Sequence, residues 1–388
     1  MARILIVYKE FPAAAVGHAG GQGVYRLIEH LHRRGHQVSL VARLRREEEP
    51  LVPETRDLCE DLFTVPHHRA LSGPLPLTLL LSYLRLRRAT VRALRTVRPD
   101  LLFVEFAQTA TVLLGLRRPF AALRPHDVNW FLMEQRLPRL SGPRRWLVAA
   151  LARFFRWFEP WLCQRYDQIL AISMGDQRLL APRCAPQPVR LLPLAPGLPA
   201  DLDVEPALVP RPNVLFVGAM YRAVNVEAVE WFVERVWPQI RAEIPSAHFT
   251  VVGYRPPPKI EALDREADIT VTGFVDDLAP WYRSADVFVS PMLVAGGLLQ
   301  KVLDALATGV PIVATSVSNH GIGATPGEHL LTADDPANFA AAVVRLLRHP
   351  EERRALGRAG QQFAEATYDL EAAIKRWEKS WEDDSDKD

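Results

Sequence analysis

Two consecutive glycines before a helix-forming stretch are the strongest candidate in the sequence for phosphate binding. Gly296 and Gly297 precede a mostly apolar run at 298–307 with helical spacing. Glycine lets a ligand come close to the backbone, and the unpaired N–H groups of a helix's first turn favour a phosphate. We therefore expect Leu298 and Leu299 to offer backbone amides to a diphosphate.

A cation and a carboxylate follow in the same predicted helix. Lys301 lies about one turn in, and Asp304 follows three residues later on the same face. A cation near phosphate and a carboxylate near ribose hydroxyls would complete a clamp for a nucleoside diphosphate. The same spacing fits an exposed Lys–Asp pair on a surface helix, so spacing alone leaves both interpretations open.

A second glycine-rich stretch, from Gly17 to Gly23, follows the first predicted strand. Gly20 and Gly21 form a turn that leads into a helix, which favours phosphate binding. The run AGGQGVY is not the GxGxxG of dinucleotide-binding folds, and the second predicted strand carries no acidic residue for a ribose. A tight turn without a ligand is the alternative.

Two further candidates follow predicted strands. His126 has Asp127 beside it, and such a histidine can hydrogen-bond a sugar hydroxyl or stabilise charge. Arg222 lies four residues beyond Gly218, where a guanidinium can reach a β-phosphate. Each is equally compatible with an ordinary loop residue.

Alternating strands and helices position these groups in the first half of the chain. Strands are predicted at Ile4–Val7, Gln37–Ala42, Leu101–Glu105, Ala121–Leu123 and Gln168–Ile172. Helices are predicted at Val24–Arg33, Leu77–Val97 and Arg144–Arg165, with Gly35 in the C′ position of the first. This βαβ order indicates a parallel sheet.

The pattern restarts after residues 182–213, which contain nine prolines and are predicted to be an interdomain linker. Strands are then predicted at Val214–Val217, Phe249–Val252, Ile269–Val271, Asp286–Pro291 and Pro311–Ala314, with helices at Asn225–Ala242 and Leu298–Ala307. The predicted fold class is therefore α/β, with two Rossmann-like doubly wound domains facing a cleft.

The composition of the sequence indicates a cellular compartment and the charge of a partner. Cys59, Cys163 and Cys184 form no CxxC pair, which indicates neither a disulfide framework nor a zinc site and favours the cytoplasm. The first residues resemble a buried strand rather than a signal peptide, and we expect no transmembrane helix. Residues 1–200 carry 29 Lys and Arg against 16 Asp and Glu, which favours an anionic partner.

Two basic stretches suggest what that partner is. Arginines alternate with leucines and valines at 85–98, and they mix with tryptophan and phenylalanine at 144–165. Basic amphipathic helices of this kind lie on anionic bilayers, which predicts peripheral contact with the inner face of the membrane. Core packing with arginines that extend to solvent is the alternative. We expect no nucleic-acid partner.

Five segments, in order, resemble the family 4 (group 1) glycosyltransferases of GT-B fold, and in particular a bacterial subgroup with an Asn near Asn225. The segments are AGGQGVYRLIEHLHRRGHQVSLV, YDQILAIS, VLFVGAMYRAVNVEAVEWFVERVWPQI, VTGFVDDLAPWYRSADVFVSP and GGLLQKVLDALATGVPIVAT. Five motifs in the right order make chance a poor explanation. The resemblance implies retention of anomeric configuration and no requirement for a metal or cofactor.

The resemblance also implies roles for individual residues. Gly20 and Gly21 would contact the donor phosphates and the acceptor, and His126 would contact the transferred sugar. Phe274 and Val275 would hold the base. Gly297 to Leu299 would bind the diphosphate, and Asp304 would bind the ribose. The family has two glutamates eight residues apart, and this sequence has Gly296 and Asp304 at those positions. The family also has an Arg and a Lys after the first glycine of the C-terminal domain, where this sequence has Ala219 and Val224. Arg222 and Lys301 are predicted to replace those cations.

Together these observations predict a glycosyltransferase that uses a nucleotide-sugar donor. Residues 1–195 would form the acceptor-side domain, 196–365 the donor-binding domain, and 366–388 a helix that crosses back to the first domain. The acceptor would be a glycan, a lipid-linked sugar or a small molecule. A non-catalytic GT-B protein that binds a nucleotide or glycan is the main alternative, and a GT-B nucleotide-sugar epimerase is another.

Overall fold

The computed structural model describes residues 1–16, 19–70 and 75–385. These residues form two compact units, which are residues 1–195 with 370–388 (unit 1) and residues 196–369 (unit 2). Gly17 and His18 of the predicted glycine-rich turn lie outside the described residues. None of the helices described combines the length and apolar character that a bilayer crossing requires.

Unit 1 is built on a parallel sheet of seven strands, which confirms the predicted βαβ pattern. The strands are β1 (Arg3–Tyr8), β2 (Gln37–Leu44), β3 (Asp61–Pro66), β4 (Leu101–Glu105), β5 (Phe120–Arg124), β6 (Gln168–Ala171) and β7 (Val189–Leu191). Their order in the sheet is β3-β2-β1-β4-β5-β6-β7. The central strands are buried runs of aliphatic residues, as expected where helices cover both faces.

Helices cover this sheet on both sides. They are α1 (Ala19–Arg33), α2 (Val52–Arg56), α3 (Leu75–Val97), α4 (Ala107–Val112), α5 (Asn129–Arg136), α6 (Gly142–Cys163), α7 (Met174–Cys184) and, from the chain's end, α16 (Leu370–Ser385). One face packs against α1 and α16, and the other against α3 to α7. The Trp377 indole of α16 donates to Gln168 in β6 at 2.7 Å, and Glu378 pairs with Arg34.

Three features of unit 1 differ from the sequence-based expectation. Strand β3 was not predicted, because it is only partly buried and has no continuous apolar run. Strand β7 lies inside the proline-rich stretch expected to be a linker, and its three partly buried residues give too short a signal. The expected turn at Gly20 and Gly21 is instead the first turn of α1.

The end of α1 follows its sequence signal. Gly35 has φ +83°, a conformation that glycine adopts without strain. Its N–H donates to His32 O, and the N–H of His36 donates to Leu31 O, which together form a Schellman motif. The predicted C′ glycine is confirmed.

Unit 2 is a second parallel sheet, so the predicted fold class of two doubly wound α/β units is confirmed. Its strands are β8 (Asn213–Val217), β9 (His248–Val252), β10 (Ile269–Gly273), β11 (Val287–Ser290), β12 (Ile312–Ala314) and β13 (Leu331–Thr332). Their order is β10-β9-β8-β11-β12-β13.

The helices of unit 2 are α8 (Ala223–Trp231), α9 (Trp237–Glu243), α10 (Pro258–Glu261), α11 (Ala279–Ser284), α12 (Gln300–Ala307), α13 (Ser316–His320), α14 (Pro336–Arg348) and α15 (Pro350–Thr367). The helix predicted at 225–242 is present as α8 and α9, joined by a π-helical turn at Phe232–Val236. Pro238 has no N–H to donate to the preceding turn, and the wider turn accommodates the missing bond.

Candidate functional site

The carboxyl edge of the unit 2 sheet brings three glycine-terminated strands together. Gly218, Gly253 and Gly273 follow or end β8, β9 and β10. A Cβ on Gly253 would lie 1.9 Å from the carbonyl oxygen of Gly218, so no larger residue fits there. Gly253 therefore lets the backbones after β8 and β9 approach closely, at the edge where α/β proteins bind ligands.

Lys301 reaches this edge and is held there by Asn225. Its Nζ donates to Asn225 Oδ1 at 2.8 Å and lies 4.1 Å from the centre of the Phe216 ring. A Cβ on Gly218 would come within 3.0 Å of both Lys301 Nζ and the Asn225 amide, so Gly218 leaves room for the pair. Burial, with a smaller contribution from the charge of Arg222, lowers the pKa of Lys301 to about 7.

Arg222 is the second cation of this site. It is exposed and directly precedes α8. Its charge acts on Lys301, so the two predicted cations lie near each other, as the compensation hypothesis requires. Two neighbouring cations repel, and an anion bound between them would relieve that repulsion. The arrangement thus favours a polyanion such as a diphosphate.

Asp304 has different partners from Lys301. Its buried carboxylate accepts the N–H of Gly197 at 2.5 Å and the side-chain amide of Gln300 at 2.9 Å. That Lys301 and Asp304 clamp one ligand together stays a prediction. A role for Asp304 at a ribose stays a prediction.

The glycine loop before α12 is fixed by tertiary packing. Gly297 has φ +60°, and Leu299 is extended, so the helix begins at Gln300 rather than at Leu298. A Cβ on Gly321, after α13, would lie 1.8 Å from Gly297 O. The loop from Gly296 to Leu299 is thus held by a backbone contact that only glycine allows. Its role in cradling a diphosphate is untested.

An exposed aromatic row, formed by Tyr221, Tyr254 and Phe274, follows the same three strand ends. The rings meet edge to face, with centroids 6.4 Å apart for Tyr221–Tyr254 and 5.7 Å for Tyr254–Phe274. Phe274 is 66% exposed, which is high for a large apolar side chain. Sequence reasoning predicted Phe274 and Val275 but missed both tyrosines. An aromatic residue one to three positions after a glycine on three strands is the signal that would have found them.

The carboxyl edge of the unit 1 sheet carries a buried ionic cluster around Glu105. Glu105 and Arg124 are cross-strand partners at the ends of β4 and β5. Arg124 donates twice to the Glu105 carboxylate, at 2.7 and 3.1 Å, and His126 Nε2 lies 2.7 Å from its second oxygen. All three side chains are buried. The cluster neutralises itself inside the protein.

The electrostatics of this cluster assign the His126 proton. Burial lowers the pKa of His126, and the hydrogen bond that His126 makes to the Glu105 carboxylate opposes that effect only in part. Burial alone would raise the pKa of Glu105, but Arg124 and His126 outweigh it, so that pKa is lowered. At neutral pH His126 is therefore uncharged and donates from Nε2 to Glu105, which leaves Nδ1 as the basic nitrogen.

Strained backbone and unpaired polar atoms mark the same edge. Phe106 and His126 have φ of +73° and +50°, and their rings stack with centroids 3.8 Å apart. Such conformations cost energy in residues other than glycine and concentrate at functional sites. Within the described structure, the Tyr8 hydroxyl and Arg124 Nη1 are buried without a hydrogen-bond partner. Lys9 Nζ lies 4.0 Å from the Phe106 ring centre.

Sequence reasoning found His126 here but missed Glu105, Arg124 and Lys9. The available signal was a pair of opposite charges at the ends of two otherwise apolar strands. Gly20 and Gly21 lie in the first turn of α1, which follows β1. Among the residues that the structure describes, no group of three His, Cys, Asp or Glu side chains is placed to hold a metal ion.

Two parallel α/β units with glycine-rich strand ends place the protein among the GT-B glycosyltransferase folds. The full chain superposes on sucrose-phosphate synthase from Thermosynechococcus elongatus with a TM-score of 0.73, 19% identity and 99% coverage of each chain. It superposes on Anabaena HepE, solved with UDP and glucose, with a TM-score of 0.67, 13% identity and coverage of 98% and 100%. At these identities the likeness shows the fold alone.

Sequence comparison identifies the family. Residues 20–195 match the model of Glycosyltransferase Family 4, and residues 211–349 match that of Glycosyl transferases group 1. The two matches together cover most of the chain, which belongs to the family 4 (group 1) glycosyltransferases. A GDP-mannose-dependent monoacylated alpha-(1-6)-phosphatidylinositol monomannoside mannosyltransferase of Corynebacterium glutamicum is 28% identical over 154 residues, 37% of this chain and 40% of that protein. The matches to curated relatives span at most 42% of a relative's length.

Proposed function

We propose that this protein transfers a sugar from a nucleotide diphosphate donor to an acceptor, with retention of configuration. The observation that carries the proposal is the pair of cations, Lys301 and Arg222, at the glycine-lined carboxyl edge of unit 2. Burial makes the charged form of Lys301 unfavourable, which lowers its pKa to about 7, and a bound anion would stabilise that charged form. A diphosphate is such an anion, and the loop at Gly297 offers backbone amides to it.

In this mechanism the leaving diphosphate does the proton transfer. The bond between the anomeric carbon and the phosphate oxygen breaks, and the acceptor oxygen forms a new bond to that carbon on the same face of the sugar. The acceptor's proton passes to the departing phosphate oxygen. Lys301 and Arg222 stabilise the charge that develops on the diphosphate. The protein needs no nucleophile and, in our proposal, no metal or cofactor.

The other roles follow from the two carboxyl edges. The aromatic row supports the base beside Phe274, since rings of this kind stack on or pack against heteroaromatic groups. In unit 1, neutral His126 contacts the transferred sugar, with Nδ1 able to accept a hydroxyl proton. Glu105 and Arg124 hold the imidazole in that tautomer and are positioning residues.

A donor screen tests the proposal. Thermal shift against UDP-, GDP-, dTDP- and ADP-sugars is expected to find one base that raises the melting temperature, because a ligand that binds the native state stabilises it. Release of the matching nucleoside diphosphate with a panel of glycan, lipid and small-molecule acceptors is then expected. Binding without turnover across that panel would contradict transfer and favour a nucleotide-binding protein, and sugar interconversion without acceptor would favour an epimerase.

Peripheral contact with the inner face of an anionic membrane is part of the proposal. A transferase that works there can modify an acceptor anchored in lipid. The surface that would make this contact is in unit 1.

A further inference from the structure

The first half of α3 has its polar and apolar residues in an unusual arrangement. The helix buries Thr78, Ser82 and Thr90, whose hydroxyls bond to the backbone carbonyls of Leu75, Pro66 and Leu86. Six leucines near the start of the helix, by contrast, face outward: the side chains at 75, 77, 79, 80, 81 and 84 are 39–64% exposed, whereas Leu86 further along is buried. Helices of water-soluble domains normally bury the apolar face, so among the described residues this surface has no apolar partner.

A second helix on the same side of the sheet adds aromatic residues. In α6, Trp146, Leu147, Leu151, Phe154 and Trp157 are 39–78% exposed. Helices α3 and α6 both pack against the face of the unit 1 sheet that α1 and α16 do not cover. Of the 16 large hydrophobic residues exposed in the described structure, 11 lie on these two helices. We name these 11 residues the α3–α6 surface.

The charges around this surface identify the partner. Helices α3 and α6 carry arginines at 85, 87, 88, 92 and 95 and at 144, 145, 153 and 156, and all but Arg87 are exposed. Their one acidic residue, Glu159, is buried and accepts the backbone N–H groups of Asn129 and Trp130. A second copy of this surface would repel the first, whereas an anionic bilayer offers both a hydrocarbon layer and negative charge.

The surface lies at the edge of the sheet that carries the Glu105 cluster. Ser82 bonds to Pro66, the last residue of β3, and Arg43 of β2 lies 4.3 Å from the Tyr83 ring centre. Residues 75–81 therefore lie beyond the carboxyl ends of the strands. In α6, Glu159 accepts the N–H of Asn129, the first residue of α5, which follows the carboxyl end of β5. Residues 142–157 precede Glu159 in the helix and therefore also lie toward the carboxyl edge.

We propose that the α3–α6 surface docks on an anionic bilayer and thereby turns the carboxyl edge of the unit 1 sheet toward the lipid. The Glu105–His126 site would then face an acceptor anchored in the membrane. This consequence rests on the proposed function, since only a transferase needs an acceptor. The docking itself requires neither donor nor turnover, so the two proposals can fail separately.

Flotation with vesicles tests the docking. The protein is expected to float with phosphatidylcholine–phosphatidylglycerol vesicles and much less with phosphatidylcholine alone. The pairs Leu77→Glu with Leu80→Glu, and Trp146→Glu with Trp157→Glu, are each expected to lower partitioning at least tenfold. Leu208→Glu is the matched control, because Leu208 is a fully exposed leucine of unit 2 and should not matter.

Three results would overturn the docking. They are wild-type protein that stays unbound at low salt, glutamate variants that bind like wild type, and a lipid-free dimer that the variants dissociate. Far-UV circular dichroism and a melting temperature like those of wild type, measured without vesicles, show that the variants of unit 1 are folded. Vesicle binding without transfer would leave the docking intact and contradict the proposed function.

Single fluorescent labels test the orientation. In a Cys59→Ser background, Gln108→Cys places a label after β4 at the carboxyl edge, and Arg117→Cys places one before β5 at the amino edge. Both positions are exposed. A quencher carried by the lipid is expected to quench the label at 108 more strongly than that at 117. Equal quenching, or stronger quenching at 117, would overturn the orientation.

Discussion

The charged side chains at the carboxyl edges of the two sheets differ in whether they have partners of opposite charge. In unit 1, Arg124 and His126 both bond to the Glu105 carboxylate, and all three side chains are buried. In unit 2, Lys301 is held by a neutral amide, Asn225, and its neighbour Arg222 is exposed. Among the described residues, the first arrangement balances its charges without a ligand, although Arg124 Nη1 has no hydrogen-bond partner, whereas the second has no acidic side chain paired with its cations.

This contrast separates a preorganised site from one that its ligand completes. A self-neutralised cluster fixes the tautomer and position of His126 before any substrate arrives. An uncompensated pair of cations instead gains stability when a diphosphate binds and loses it when the product leaves. Changes in unit 1 should therefore act first on folding, and changes in unit 2 first on donor binding.

The largest effect is expected from Glu105→Gln, which leaves Arg124 buried without its carboxylate. Removing one partner of a buried pair destabilises proteins by roughly 3–5 kcal/mol. Urea unfolding followed by intrinsic fluorescence should show this loss. The control is Glu371→Gln in the exposed Glu371–Lys375 pair of α16, which should leave the free energy of unfolding nearly unchanged, because solvent screens an exposed ion pair. Equal stability of the two variants would contradict a preorganised cluster.

The second-largest effect is expected from Lys301→Ala, which should lower kcat/KM for the donor about 10- to 100-fold. This range corresponds to roughly 1.5–3 kcal/mol for a hydrogen bond to a charged group. Steady-state kinetics with the donor found by thermal shift gives the value. Lys259→Ala, which removes an exposed lysine of unit 2 paired with Glu230, should keep wild-type kinetics. A Lys301 variant with wild-type kcat/KM would mean that the cation does not act on the donor.

Arg222→Ala should have a smaller effect, about threefold to tenfold in donor KM, because an exposed guanidinium is screened by solvent. The effect should shrink as salt is added, and Arg222→Lys should restore part of it. A loss independent of ionic strength, or no loss at low salt, would remove Arg222 from the donor site.

The smallest effect is expected at the aromatic row. Phe274→Ala should raise donor KM about twofold to tenfold, in line with roughly 0.5–1.5 kcal/mol for an aromatic contact, and Phe274→Tyr should behave like wild type. Binding of inorganic pyrophosphate, which has no base, should be unchanged in both. If Phe274→Ala weakened pyrophosphate binding equally, the ring would act on the loop rather than on a base.

The sequence predicted the parts of this molecule that have strong local signals. Continuous aliphatic runs located the central strands of both sheets, and Gly35 located the end of α1. Three weak strands were missed, because β3 is partly exposed, β7 has only three residues among prolines and β13 has only two residues. The sequence analysis predicted that Arg222 and Lys301 replace the family's missing cations, and the charge of Arg222 does act on Lys301 in the structure.

What the sequence did not predict depends on contacts between distant residues. Helical spacing put Lys301 and Asp304 on one face, but it did not predict that Asn225 holds the first and Gly197 holds the second. The Glu105–Arg124 pair needs the register of β4 on β5, which no local pattern contains. The outward leucines of α3 became visible only once Thr78, Ser82 and Thr90 were found inside.

Titration with the nucleotide sugar on either side of the Lys301 pKa tests the central claim most directly. A nucleotide sugar is the right probe, because both of its phosphates are diesters and do not titrate near neutral pH. The donor-free protein has a Lys301 pKa of about 7, and a bound diphosphate should raise it. Affinity should therefore be highest below that pH and fall as the pH rises above it.

Calorimetry at about pH 6.5 and about pH 8.5, in buffers with different ionisation enthalpies, gives both affinity and proton uptake. Wild-type protein should bind the donor more tightly at the lower pH and take up protons at the higher one. Lys301→Met should bind weakly at both values without proton uptake. Donor affinity that is independent of pH, with no uptake in wild-type protein, would contradict a diphosphate site at Lys301.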